Sequence, residues 1–309
     1  MSKTTLESLK NDTISLIDFR NWSLPDEIRN FISTNKRSSE PIRDIIICYL
    51  MIFSAWLASF TNHIWWVYLL SCLTVTSALV GFIALAHESF HDNIASKRVN
   101  DFLARVFIAP PLLMDYDYER EIHLNHHKYL GTNNDPTLKA YSCSKKKLWN
   151  ELTSRFFLLG SLTWIIKKRL NPDFWKPENA SPKRWFWNFI IMLEQISIFI
   201  LFMFVNPPLY LLNWALPLIL TSILSSIREF GEHKSFDNSK PICIANTHTN
   251  ILERLLVSQF NFTRHAAHHL FPSVPYNHLH GLTDLLNKHG WPETNIPILI
   301  RNSYIKNLL

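Results

Sequence analysis

Four long apolar runs constrain this chain more than any other feature. DIIICYLMIFSAWLASF covers residues 44–60, a second run extends over 65–86, FWNFIIMLEQISIFILFMFV covers 186–205 and PLYLLNWALPLILTSILSSI covers 208–227. Each is close to the roughly 20 residues an α-helix needs to cross the hydrocarbon core of a bilayer. Only TNHI (61–64) separates the first pair, and only Asn206 and Pro207 the second, so the runs pair into two tight hairpins. The expected fold is an all-α integral membrane protein: four transmembrane helices as two hairpins, with a helical cytosolic cap. A water-soluble helical protein with buried helices is the alternative, and the length and pairing of the runs weigh against it. The mean hydropathy of +0.00 hides the pattern because the charges gather between the runs.

The polar parts set the topology. Residues 1–43 carry both charge signs and lack a signal-peptide layout, so they read as a cytosolic N-terminal segment. Residues 44–285 form the membrane domain, and 286–309 a cytosolic C-terminal tail. The excess of Lys and Arg over 92–184, with Lys97, Arg98, Lys183, Arg184 and Arg228 near the ends of the spans, places this side and both termini in the cytosol. Within that stretch FLARVFIAPPLLM (102–114) is apolar but too short to span, and its two prolines oppose a continuous helix. It and RFFLLGSLTWII (155–166) read as re-entrant or interfacial pieces. Glu194 and Gln195 are costly in lipid and are expected to face protein or the interface. ILERLLVSQF (251–260) and LHGLTDLLNK (279–288) are amphipathic patches in the polar remainder. Trp65, Trp66, Trp164, Trp185 and Trp187 suit interfacial anchors. Cys48, Cys72, Cys143 and Cys243 form no C-x-x-C pair, so neither a disulfide framework nor a thiolate metal site is expected.

Nine of the fourteen histidines fall in four places on the predicted cytosolic side. HESFH supplies His87 and His91 at i and i+4, on one helix face. IHLNHHKY supplies His123, His126 and His127, and FTRHAAHHLFP supplies His265, His268 and His269, both as H-x-x-H-H. GEHKS adds His233 just past the fourth run. Eight imidazoles on three segments exceed the roughly four ligands one zinc ion takes, and they suit two metal ions. Imidazole binds zinc, copper, iron and nickel, so ligand type leaves the metal open. Surface or pH-sensing histidines would not need this spacing.

H-x-x-x-H, H-x-x-H-H and H-x-x-H-H, threaded between two hydrophobic hairpins, resemble the membrane fatty acid desaturase superfamily. The flanks match too: HESFH followed by DN, HLNHHKYLGTNNDP, REFGEH, and HAAHHLFPSVPYNHL. The resemblance runs from about residue 44 to about residue 285. It implies a non-haem centre of two iron ions near the cytosolic face, with dioxygen as co-substrate. A double bond is introduced into a lipid acyl chain, oxygen is reduced to water, and two electrons come from a separate donor of ferredoxin or cytochrome b5 type. It implies His87, His91, His123, His126, His127, His265, His268 and His269 as ligands, with His233 matching a further histidine after the fourth span. A separate donor is expected because neither an H-P-G-G haem motif nor a ferredoxin cysteine set is present. The partners are thus a lipid acyl substrate, the bilayer and that donor, with no nucleic acid. A bacterial inner membrane is favoured over the endoplasmic reticulum. Each ligand's second ring nitrogen needs a partner, for which Glu88, Asp92, Asp135, Glu229 and Glu232 are candidates. Asn261, four residues before His265, is either a water-mediated ligand or, preferably, a turn residue.

Three alternatives stand beside this reading. Acyl-lipid or carotenoid hydroxylases and ketolases of the same superfamily need the same metals and oxygen. H-E-x-x-H alone is also a zinc-protease motif with Glu88 as base, which leaves most of the other histidines without work. A metal transporter would place its ligands at mid-membrane, whereas these lie beyond the ends of the runs.

Overall fold

The computed structural model describes residues 23–36, 40–142, 144–156, 182–235 and 242–306. Most of the N-terminal segment, Cys143, and the interfacial piece 155–166 beyond its first two residues, Trp164 included, lie outside these.

The protein is mostly helical, and four of its helices are long and apolar enough to cross a membrane: Glu40–Thr61, Trp65–Phe90, Arg184–Val205 and Pro207–His233. In chain order the helices are α1 (Asp26–Thr34), α2 (Glu40–Thr61), α3 (Trp65–Phe90), α4 (Lys97–Leu103), α5 (Tyr116–Tyr129), α6 (Leu138–Tyr141), α7 (Lys145–Phe156), α8 (Pro182–Val205), α9 (Pro207–Tyr210), α10 (Leu216–His233), α11 (Ile251–Leu256), α12 (His265–Leu270) and α13 (Leu279–His289). A wider π-turn, Leu211–Ala215, joins α9 to α10. Pro207 is the first residue of α9, where its missing N–H costs nothing, so Asn206 alone separates the third and fourth long helices.

Each long helix divides by period. On α2, Ile46, Leu50, Phe53 and Leu57 are each more than half exposed, while Ile45, Cys48, Ile52, Ala55 and Trp56 are buried. The central helix is α3, 72% buried over its apolar window against 22–39% for the others. Its polar residues are absorbed inside the bundle: Ser71 Oγ donates to the Ala55 carbonyl at 3.0 Å. Gln195 faces protein as expected, donating to the Pro110 carbonyl at 3.0 Å and accepting from Trp214 Nε1 at 2.9 Å. Trp56 Nε1 donates to the Asn213 carbonyl at 3.2 Å, within the π-turn. The prolines act as expected in 102–114, where α4 gives way to a π-turn at Ala104–Ile108 and a 3-10 turn at Pro110–Leu112. Of the expected interfacial tryptophans, Trp65, Trp66 and Trp185 are 73%, 48% and 49% exposed, whereas Trp187 is half-buried.

Two features depart from the sequence reading. First, α3 runs to Phe90 and α10 to His233, about a turn beyond the apolar runs. Hydropathy falls there, but the last carbonyls of α3 are satisfied: Tyr116 and Asn100 donate to Ser89 at 2.9 Å each, and Arg120 to Phe90 at 3.0 Å. Second, the fold is not purely α. Strands β1 (Ile244–Thr247) and β2 (Ile298–Arg301) pair in parallel. Beyond β2, Tyr304 is fully buried, so residues after 285 reach into the interior.

Candidate metal centre

The ends of α3 and α10 meet α5 and α12 at one place, and all nine predicted histidines gather there. They divide into two groups. His87, His91, His123, His127 and His268 bring one ring nitrogen each within 4.8 Å of one another, and His126, His233 and His269 form a second such set. His265 joins the second, its Nε2 lying 2.9 Å from Nε2 of both His233 and His269. Other Nε2 atoms face each other across the site at 2.8 Å (His91, His123), 3.1 Å (His126, His233) and 3.1 Å (His127, His268).

Helical geometry explains the division. At about 100° per residue, i and i+4 diverge by only about 40°, while i+3 points to the other side of i. His87 and His91, and His123 and His127, are i,i+4 pairs and serve the first group. His265 and His269 are the i,i+4 pair of the third motif and serve the second. The i+3 members cross over: His126 goes to the second group and His268 to the first. Each H-x-x-H-H motif therefore contributes to both groups.

The donor set fits two cations. His126, His127, His233, His265, His268 and His269 are all at most 5% exposed. Burial, with Arg120 beside it, pushes the His91 imidazole down to about 3. Burial and neighbouring imidazoles hold His123, His127, His265, His268 and His269 well below the ordinary histidine range. These rings are neutral at pH 7 and offer lone pairs. Both ring nitrogens of His87 make no hydrogen bond, which is expensive inside a protein and suits a ring with one nitrogen turned toward a metal.

Among the candidate orienting groups, Asp135 meets the geometry. His126 Nδ1 lies 3.1 and 3.2 Å from its two oxygens. Asp135 also accepts from Gly131 N (3.1 Å), Thr137 N (2.9 Å), Thr137 Oγ1 (3.0 Å) and the Tyr141 hydroxyl. Burial pushes its carboxyl up, but His126, Tyr141 and Thr137 outweigh this and hold it below the usual range. Glu232 Oε2 stands 3.5 Å from His265 Nδ1, while its Oε1 takes Arg228 Nε at 2.8 Å and the Tyr304 hydroxyl at 3.1 Å. His233 uses a carbonyl instead, its Nδ1 lying 3.3 Å from Cys243 O.

Asp92, Asn261 and Glu88 have other partners. Asp92 accepts from Arg120 at 2.8 Å and Asn100 at 3.3 Å. Glu229 is half-buried on α10. Asn261 has a positive φ of 59° and its amide pairs with His280 Nε2 at 2.7 Å, so it is a turn residue, as preferred. Glu88 is fully buried, and its Oε2 accepts from Asn93 Nδ2 and the Tyr276 backbone N–H at 3.1 Å each. Asn93 also donates to the Pro272 carbonyl at 2.9 Å. Glu88 thus clamps the end of α3 to the FPSVPY loop after the third motif, and no water reaches it for use as a protease base. Replacing Glu88 with Ala orphans two buried donors and is expected to cost about 1–3 kcal/mol of stability. A thermal melt of the detergent-solubilised protein unchanged by Glu88→Ala would contradict this clamp.

The sequence reading missed Thr137, Tyr141, Arg228, Tyr276 and Tyr304. NNDPTLKAY places Thr137 and Tyr141 close behind the second motif, a local signal that was available. Tyr304 lies too far along the chain to leave one.

Comparison with known proteins agrees with this geometry. Residues 63–301 match the fatty acid desaturase family. The chain belongs to that family. It is also 24% identical over 242 residues to a dihydrorhizobitoxine desaturase of Bradyrhizobium elkanii, a match covering 70% of this chain and 66% of the relative. The chain therefore spans just under two thirds of that relative's length. Among the described residues, four helices are long and apolar enough to cross a membrane, and the clustered histidines are compatible with two iron ions.

Proposed function

We propose that this desaturase family member is an oxygen-dependent di-iron desaturase that introduces a double bond into a lipid acyl chain. The division of nine clustered histidines into two groups is the observation that carries the reading. His87, His91, His123, His127 and His268 would hold one iron, and His126, His233, His265 and His269 the other. Bound there, the irons would supply the power to activate dioxygen against an unactivated C–H bond.

The chain's own residues prepare the site. Asp135 and the Cys243 carbonyl hold protons at Nδ1 of His126 and His233, which leaves each Nε2 free as a ligand. Phe262 against His87 (ring centroids 4.7 Å) and Phe90 against His123 (5.3 Å) exclude water beside the first group. In this reading the long helices cross the bilayer as two hairpins, with α5, α12 and the β1–β2 pair forming a cytosolic cap. Both termini are cytosolic, in a bacterial inner membrane rather than the endoplasmic reticulum. Electrons arrive from a separate donor of ferredoxin or cytochrome b5 type, for which the basic cytosolic surface suits an acidic partner. The desaturase relative favours double-bond formation over oxygen insertion.

Expression in a host poor in unsaturated lipids, with a competent donor, tests this by lipid mass spectrometry. A new double bond, absent from a His126→Ala control, is the expected result. An added oxygen atom would assign the chain to hydroxylation instead, and no lipid change would contradict the reading altogether.

A further inference from the structure

The segment joining the fourth long helix to the third histidine motif does not stay level with that motif. Helix α11 and the turn after it run down alongside α3. Ser77 Oγ donates to the Leu255 carbonyl at 2.7 Å. Gln259 Nε2 donates to the same carbonyl at 3.0 Å and also bonds Ser77 Oγ. The Phe260 ring covers Gly81, where an added Cβ would meet it at 3.1 Å.

Ser77 lies ten residues before His87, so at about 1.5 Å per residue it is about 15 Å from the metal-facing end of α3. Its level on the neighbouring helix follows from two contacts. Ser71 bonds Ala55, and Gly81 lies against Cys48. Ser77 is therefore level with residues 49–52 on α2. There α2 turns Leu50 and Phe53 outward, 62% and 56% exposed. A bilayer that wets those residues also surrounds Leu255.

The segment is built for that depth. Ile251, Leu252 and Leu255 are 66%, 65% and 45% exposed, while Glu253 between them is 1% exposed. Glu253 turns inward to accept from Ser303 and from Ile305 N at 3.0 Å. Part of the non-helical backbone after α11 is satisfied within the segment itself, as hydrocarbon favours. Val257 N and Ser258 N donate to the Glu253 carbonyl at 2.8 and 2.9 Å, and Ser258 Oγ to the Phe262 carbonyl at 2.6 Å. Positive φ at Phe260 and Asn261 then turns the chain back toward His265.

We propose that residues 251–260 form a re-entrant interfacial element in the metal-side leaflet, with Ile251, Leu252 and Leu255 packed on lipid acyl chains. This rests on the four-crossing reading. The third histidine motif is then suspended from a lipid-anchored loop, not from a solvated one.

A nitroxide at Leu252→Cys tests the proposal in the full chain reconstituted in phosphatidylcholine vesicles. Cys143 is replaced by Ser, and Cys48, Cys72 and Cys243 are buried. Collision with dioxygen, enriched in lipid, is compared with collision with a neutral nickel chelate, enriched in water. Leu50→Cys serves as the lipid reference and Lys97→Cys, whose native side chain is 65% exposed, as the water reference. The oxygen-to-nickel ratio at residue 252 is expected to match that at residue 50 and to exceed that at residue 97 several-fold. A ratio matching residue 97 overturns the proposal, as does exclusion of both reagents, which would mean that protein or a second copy covers the face. Nickel access at residue 50 would instead overturn the four-crossing reading, and the proposal with it.

Discussion

His233→Ala is expected to lower turnover by at least about 100-fold and to reduce bound metal from two ions toward one. The magnitude follows from losing a group that only orients a ligand, which already costs about 10–100-fold; loss of a ligand should be no milder. His233 belongs to none of the three motifs, yet it is 2% exposed and its Nε2 faces both His126 at 3.1 Å and His265 at 2.9 Å. It is the junction of the second group. Removing it leaves the buried His126 and His265 nitrogens without their shared neighbour. The first group shares no residue with the second, so one ion should remain. Metal analysis of the purified variant beside lipid profiling checks both parts. Full activity with two ions bound would remove His233 from the centre.

That His233 stands outside the three motifs reflects how sequence encodes such a site. The spans were legible because 18 or more apolar residues in a row have few other uses. The eight motif histidines were legible because helical spacing puts them on shared faces, and those segments are helices. Three things escaped. The allocation of His126 and His268 to opposite groups depends on how α5 and α12 are rotated against each other, which spacing within one helix does not record. The β1–β2 pair joins segments about fifty residues apart, each only four residues long, and both read as loop. The partners of Glu88 and Glu232 come from Tyr276 and Tyr304, one tyrosine after the third motif and one near the end of the described chain. A carboxylate in sequence announces a charge, and only the fold decides which charge or donor meets it. Asp92 illustrates this: it adjoins the first motif and still pairs with Arg120 and not with a histidine.

The metal-free protein is expected to lose stability steeply as pH falls from 7 to 5, and metal is expected to suppress most of that loss. His91, His123, His127, His265, His268 and His269 all have folded-state values below the ordinary histidine value, chiefly through burial. An unfolded histidine titrates near 6.5. Well above that pH neither state holds the proton, and stability is independent of pH. Below it the unfolded chain binds protons that the folded cluster refuses, so unfolding gains ground until the folded values are reached; for His91 that is about 3. Each such group contributes a slope of about 1.4 kcal/mol per pH unit. The rings disfavour one another's protonation, so a proton on one makes the next harder to add and the groups do not act independently. Even two effective groups would remove about 3 kcal/mol per unit, a large share of the 5–15 kcal/mol typical of a folded protein. Bound cations compete with protons for the same nitrogens, which moves the acid transition to lower pH. Melting temperatures of chelator-treated and metal-loaded protein across pH 5–8 decide the matter. A metal-free melt that does not move between pH 7 and pH 5 would mean that these imidazoles are open to water, and the dry paired cluster would have to be abandoned.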